Sequence, residues 1–135
     1  MRRSGRALLA LGVALAAVAV AGCGRDDFEN EPRPPVAAEI SVKIGSDAVV
    51  VSPPEFGAGL ANFTVANLGD SAATLEILGP SAAESGEVSP GGTATLKTEM
   101  VTGNYVARAR GTSAEAFDFR VGAERESAQD DLLLP

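Results

Sequence analysis

From Ile40 onward, apolar and polar residues alternate one by one, and this period of two is the strongest constraint on what the chain can become. Ile40, Val42 and Ile44 are interleaved with Ser41 and Lys43. A strand sends successive side chains to opposite faces, so each such run buries one face and needs a second layer to bury it against. Val49, Val50 and Val51 form a short apolar run stopped by Ser52-Pro53-Pro54. Ala61, Phe63 and Val65 alternate with Asn62 and Thr64 before the turn-forming Asn67-Leu68-Gly69-Asp70. Leu75 and Ile77 face one way in the next run, which Gly79-Pro80 closes. Ser89-Pro90-Gly91-Gly92 leads into residues 93–98, and Gly103-Asn104 precedes residues 105–109. Phe117, Phe119 and Val121 alternate with Asp118 and Arg120. These are about seven short strands, with turn signals roughly every 8–15 residues. The pattern predicts an all-β, Greek-key β-sandwich over residues 36–122. The one helical signal is a single turn over residues 82–87.

The chain has 135 residues, enough for one domain with one core. It has one cysteine and no histidine. A lone cysteine cannot close an internal disulfide, so the sandwich must hold together by packing.

Residues 1–22 have the three parts of an export signal. Arg2, Arg3 and Arg6 make a basic start, and residues 7–20 are an apolar run shorter than the roughly 20 residues a spanning helix needs. Val20-Ala21-Gly22-Cys23 follows. This resembles the lipobox of bacterial lipoproteins: an aliphatic residue, two small residues and a cysteine, here the only one in the chain. The resemblance implies cleavage before Cys23, diacylglycerol on its thiol and palmitate-type acyl chains. It places the mature protein on the extracytoplasmic face of the cell membrane. Buried acyl chains contribute about 0.8 kcal/mol per CH₂, so two or three of them anchor stably. Ala19-Val20-Ala21 is also compatible with an ordinary signal peptidase site, which would release a secreted protein.

Residues 23–35 are polar, acidic and proline-rich, the composition of a disordered or extended tether. Asp26, Asp27, Glu29 and Glu31 lie there without the turn geometry of a calcium loop. Three of the 11 basic residues sit in the leader, so 8 remain against 18 acidic ones. Such a surface repels nucleic acid and anionic headgroups. Residues 123–135 read as a polar flexible tail ending in Leu132-Leu133-Leu134-Pro135.

Ala58-Gly59, Phe63-Thr64-Val65, Asn67-Leu68-Gly69 and Leu75-Glu76-Ile77-Leu78 together resemble the central strands of cupredoxin-like domains. Ser89-Pro90-Gly91, Leu96 and Gly103-Asn104-Tyr105 are similar to their later segment, a Pro-Gly turn, a strand and a Gly-x-Tyr corner. The resemblance covers roughly residues 39–121 and is nearest to exported bacterial domains, including those tied to iron uptake. It implies that the Tyr105 phenol reaches back to nearby backbone. It also places the family's first copper-ligating histidine at Ala73 and its cysteine at Ala109. A blue-copper site needs two imidazoles, a thiolate and a weak axial ligand. Gly111-Thr112-Ser113-Ala114, where the remaining ligands would fall, has neither His nor Met, and Met100 lies on another segment as a core residue.

Without His or a free thiol the usual triads and thiol nucleophiles are absent. Lys43 and Lys97 lack a Ser-x-x-Lys spacing, and the many carboxylates have no evident cleft. The reading is therefore a non-catalytic, monomeric lipoprotein with no cofactor and no metal. Its expected partners are the membrane, through its lipid, and an envelope protein, with no nucleic acid. Two further readings stay open: an accessory of an envelope metal-uptake or electron-transfer system, and an immunoglobulin-like adhesion domain.

Overall fold

The computed structural model describes residues 34–127. Eight strands follow one another: β1 Ala38–Ile44, β2 Val49–Ser52, β3 Glu55–Asn67, β4 Ala73–Leu78, β5 Ala83–Val88, β6 Thr93–Met100, β7 Gly103–Arg110 and β8 Phe117–Glu124. No helix occurs among the described residues. The expected count of about seven rises to eight because β5, Ala83–Val88, forms where a helical turn is expected over residues 82–87. That segment buries only Ser85 and Val88. It therefore shows no period-two signal, and antiparallel pairing with β4 makes it a strand. Where the pairing shifts register between Thr74 and Glu76, the Leu75 amide donates to Ser85 Oγ at 3.0 Å. The serine fills the acceptor place that the bulge leaves open.

The two layers share one strand. In the first layer β1 lies between β2, antiparallel, and β3, parallel, and β6 lies antiparallel on the far side of β3. In the second, β7 lies between β4 and β8, β5 flanks β4, and the beginning of β3 runs parallel to β8. β3 is 13 residues long because it belongs to both layers. Residues 55–58 pair with β8, and residues 59–67 pair with β1 and β6. The change of layer falls in Gly57-Ala58-Gly59, where Gly59 has φ +118°, a conformation that residues with a Cβ rarely adopt. These glycines hid the first half of β3 from the alternation pattern.

Alternation delivers the core as expected. Ile40, Val42 and Ile44 from β1 and Ala61, Phe63 and Val65 from β3 face Leu75 and Ile77 from β4 and Tyr105, Ala107, Phe119 and Val121 from β7 and β8. Met100 is also buried there. The aromatic rings cluster in the middle. Phe119 stacks on Tyr105 with centroids 5.3 Å apart and on Phe56 at 5.9 Å, and it meets Phe63 edge-on at 6.3 Å. Such pairs contribute about 1 kcal/mol beyond their burial. Packing thus replaces the disulfides that this cysteine-poor chain cannot form.

The sandwich extends beyond residue 122. β8 runs to Glu124, and Arg125 binds four backbone carbonyls of the domain. Residues 123–125 therefore belong to the fold and not to a flexible tail. The polar character of Ala123-Glu124-Arg125 reflects an exposed strand end.

Candidate functional site

β1, β3, β5 and β7 all finish at one end of the sandwich, and the turns after them define a loop end. Ala73 and Ala109 lie here, on the neighbouring strands β4 and β7. Leu75 is paired with Ala109, so Ala73 sits one diagonal step away on the same inward face. Both are buried. The structure thus brings together the two positions that the cupredoxin resemblance singles out, and each offers a methyl group.

The surrounding donors are already engaged. Asn67, at the end of β3, is fully buried. Its Nδ2 donates to the Ser71 carbonyl at 2.8 Å and the Val88 carbonyl at 2.9 Å, and its Oδ1 accepts from the Gly69 amide at 3.0 Å. Its backbone amide donates to the Gly92 carbonyl and its carbonyl accepts from the Gly91 amide. One side chain therefore ties the turn after β3 to the end of β5. The sequence marks Asn67 as a turn residue, but not as a buried tie. Its extra role arises from segments 21 residues away.

The loop after β7 is pinned as well. Gly111 has φ +92°, and a Cβ on it would come within 2.9 Å of the Ala72 carbonyl oxygen. Thr112 Oγ1 donates to the Ala109 carbonyl at 3.1 Å and accepts from the Ala114 amide at 3.3 Å. The Glu115 amide donates to the Asp47 carbonyl, and the Val49 amide to the Glu115 carbonyl. The loop in which the resemblance places further ligands is thus stitched to the β1–β2 turn by backbone bonds.

Copper chemistry does not fit these residues. The donor set it needs is imidazole and thiolate. The two inward positions carry methyl groups, and the Asn67 amide and Thr112 hydroxyl are used in local bonds. Among the described residues no group of three or more His, Cys, Asp or Glu side chains is gathered for a metal ion.

A second feature lies on the outer face of the β5-β4-β7 layer. Glu76 is nearly buried, and its carboxylate is held by Arg108 Nε and, at 3.1 Å, by Arg110 Nη1. Arg110 also approaches Glu84 at 3.4 Å. Glu76 and Glu84 face each other across β4 and β5, and like charges so placed repel; Arg110 lies between them and offsets that repulsion. A groove beside them is lined by Ile77, Leu78, Ala82 and Ala83. In the sequence Glu76 reads only as the polar partner of Leu75 and Ile77. The spacing Arg108-x-Arg110 is its one visible clue.

Cys23 and the lipobox residues Val20, Ala21 and Gly22 lie outside the described residues, as do the acidic tether cluster and Leu132–Leu134. The corner reading of Tyr105 holds: the phenol donates to the Val101 carbonyl, four residues upstream, at 2.8 Å. Its oxygen also lies 2.9 Å from Ser81 Oγ.

No protein-family model matches the sequence, and no curated protein sequence does. Among solved structures the chain is similar to a multicopper oxidase, at 13% identity and a TM-score of 0.51, over 67% of this chain. The match takes in 46% of the oxidase, so this chain spans about half of it. It is also similar to a chain of a heme-copper terminal oxidase dimer, at 13% identity and a TM-score of 0.45, over 87% of this chain and 92% of that one. At such identity a likeness shows the fold alone. Residues 34–127 form an all-β, cupredoxin-like sandwich, with methyl groups at the two inward positions of its loop end.

Proposed function

We propose that this chain is an exported lipoprotein, anchored through Cys23, whose cupredoxin-like domain works without copper as a non-catalytic binding or interaction module at the cell envelope. One observation carries the copper-free part: Ala73 and Ala109 stand buried and adjacent at the two positions where the resemblance to cupredoxin-like domains implies copper ligands. The lipid part rests on Val20-Ala21-Gly22-Cys23 directly after an apolar run. The domain's first strand begins at the end opposite the loop end, since Ala38 pairs with Ala61 and Ile44 with Asn67. The loop end is therefore the part of the domain farthest from the tether's attachment. A surface meant for a partner is best carried there or on the outer faces of the two layers.

Cys23→Ser tests the anchor. Membrane fractionation and intact mass should show loss of the acyl mass and either release or unprocessed accumulation. A Cys23→Ser protein that stays membrane-bound at the processed mass of the parent refutes the lipoprotein reading.

A further inference from the structure

One edge of β3 serves two partners in succession, and the changeover leaves backbone groups without a strand beside them. β8 covers this edge over residues 55–58, and β1 covers it from Ala61 onward. The Gly57, Ala58 and Leu60 carbonyls around the gap turn to one side chain. Arg125 Nε lies 3.2 Å from the Gly57 carbonyl and 3.4 Å from that of Ala58; Nη2 donates to Leu60 at 2.6 Å, and Nη1 to Val36 at 2.7 Å. The Arg125 amide adds a bond to Ala58 at 3.3 Å.

The backbone is shaped for this side chain. A Cβ on Gly57 would collide with Arg125 Cγ, and one on Gly59 would stand 3.4 Å from its Nη2. The guanidinium's planar fork of donors suits several carbonyls at once, which an ammonium cannot match. Arg108, Arg110 and Arg120 each pair with a carboxylate. Arg125, by contrast, is held among the described residues by neutral carbonyls, through bonds strengthened by its charge.

We propose that Arg125 is a conformational latch. It closes the junction at which β3 passes between the layers and fastens the segment before β1 to the segment after β8. Its withdrawal opens that junction while both layers stay folded. The β3–β6, β4–β7 and β7–β8 ladders and the aromatic core do not run through Arg125. The opening would unpin Val36, where the tether joins the domain, and would reshape the depression bordered by Ala58, Gly59, Met100, Val101 and Glu124. The latch thus links the end of β8 to the tether's attachment and to a surface cavity. It does not depend on the lipid.

Amide hydrogen exchange on the full mature chain decides the matter, comparing the parent with Arg125→Met and Arg125→Lys. Arg125→Met keeps much of the aliphatic stem and removes the fork. The amides of residues 57–60, 124–125 and Ala38 should exchange about tenfold faster or more, since local opening is governed by local bonds. The amides of Phe63, Val65 and Ala107 should keep their parental rates. Arg125→Lys, with one donor group where the parent has a fork, should fall between. Unchanged rates at residues 57–60 overturn the proposal. So does a uniform acceleration, or outright unfolding, of Arg125→Met, because the residue would then support the whole fold and not a separable joint.

Discussion

At the loop end a single short side chain, Asn67, ties three segments together, whereas at the opposite end two long ones, Tyr105 and Arg125, reach back to carbonyls from the last third of the chain. The loop-end tie is buried and saturated: every polar atom of the Asn67 side chain is bonded inside the protein. The opposite end is wetter. Tyr105 is buried as a ring, but its hydroxyl bond is only part-buried, and Val101 beside it is 46% exposed. The difference matters because an unpaired buried group carries its full desolvation penalty, while a group near solvent recovers much of it from water.

This contrast can be broken by measurement. Asn67→Ala orphans the Gly69 amide and the Val88 carbonyl in the interior and frees the Ser71 carbonyl nearer solvent, and should lower the unfolding free energy by about 3 kcal/mol. Urea denaturation of the Cys23→Ser protein would show it as a shifted midpoint at unchanged slope. Tyr105→Phe keeps the stacked ring and removes only the hydroxyl, so it should cost about 1 kcal/mol by the same assay. Equal losses at the two positions would mean that the ends are equally dry, and the contrast would fail. The smallest effect concerns the loop end itself. Adding Cu(II) or Cu(I) to the Cys23→Ser protein at micromolar concentration should change neither its absorbance nor its melting temperature. Calorimetry that finds a stoichiometric site requiring Ala73, Ala109 and their neighbours would overturn the reading of this end as metal-free.

The resemblance and the alternation pattern located much of this, for reasons that particular residues make plain. Ile40, Val42, Phe63, Val65, Leu75 and Ile77 all point inward as their parity demands. A one-residue slip would move every one of them into water, so the burial of apolar area fixes the register. Tyr105 was legible because a Gly-x-Tyr corner is local, and its hydroxyl reaches only four residues back. Asn67, Glu76 and Arg125 were not legible as what they are. Their partners lie 21, 32 and up to 89 residues away in sequence, and nothing local announces such contacts. β5 escaped because an edge strand that buries one serine and one valine carries almost no hydrophobic signal.

The sequence by itself determined the all-β class, the inward face of most strands, the absence of imidazole throughout and the alanines at the two positions that the resemblance singles out. These follow from side-chain type and from the period of two, both of which are local properties of the chain. Only the tertiary structure decided that β3 serves both layers, that a polar segment becomes a strand, that Glu76 is enclosed by two arginines and that Arg125 closes the joint. Each of those depends on which backbone groups are left without partners once the layers assemble. Buried N–H and C=O groups must be bonded, and the residue that meets the need is whichever one the fold brings near.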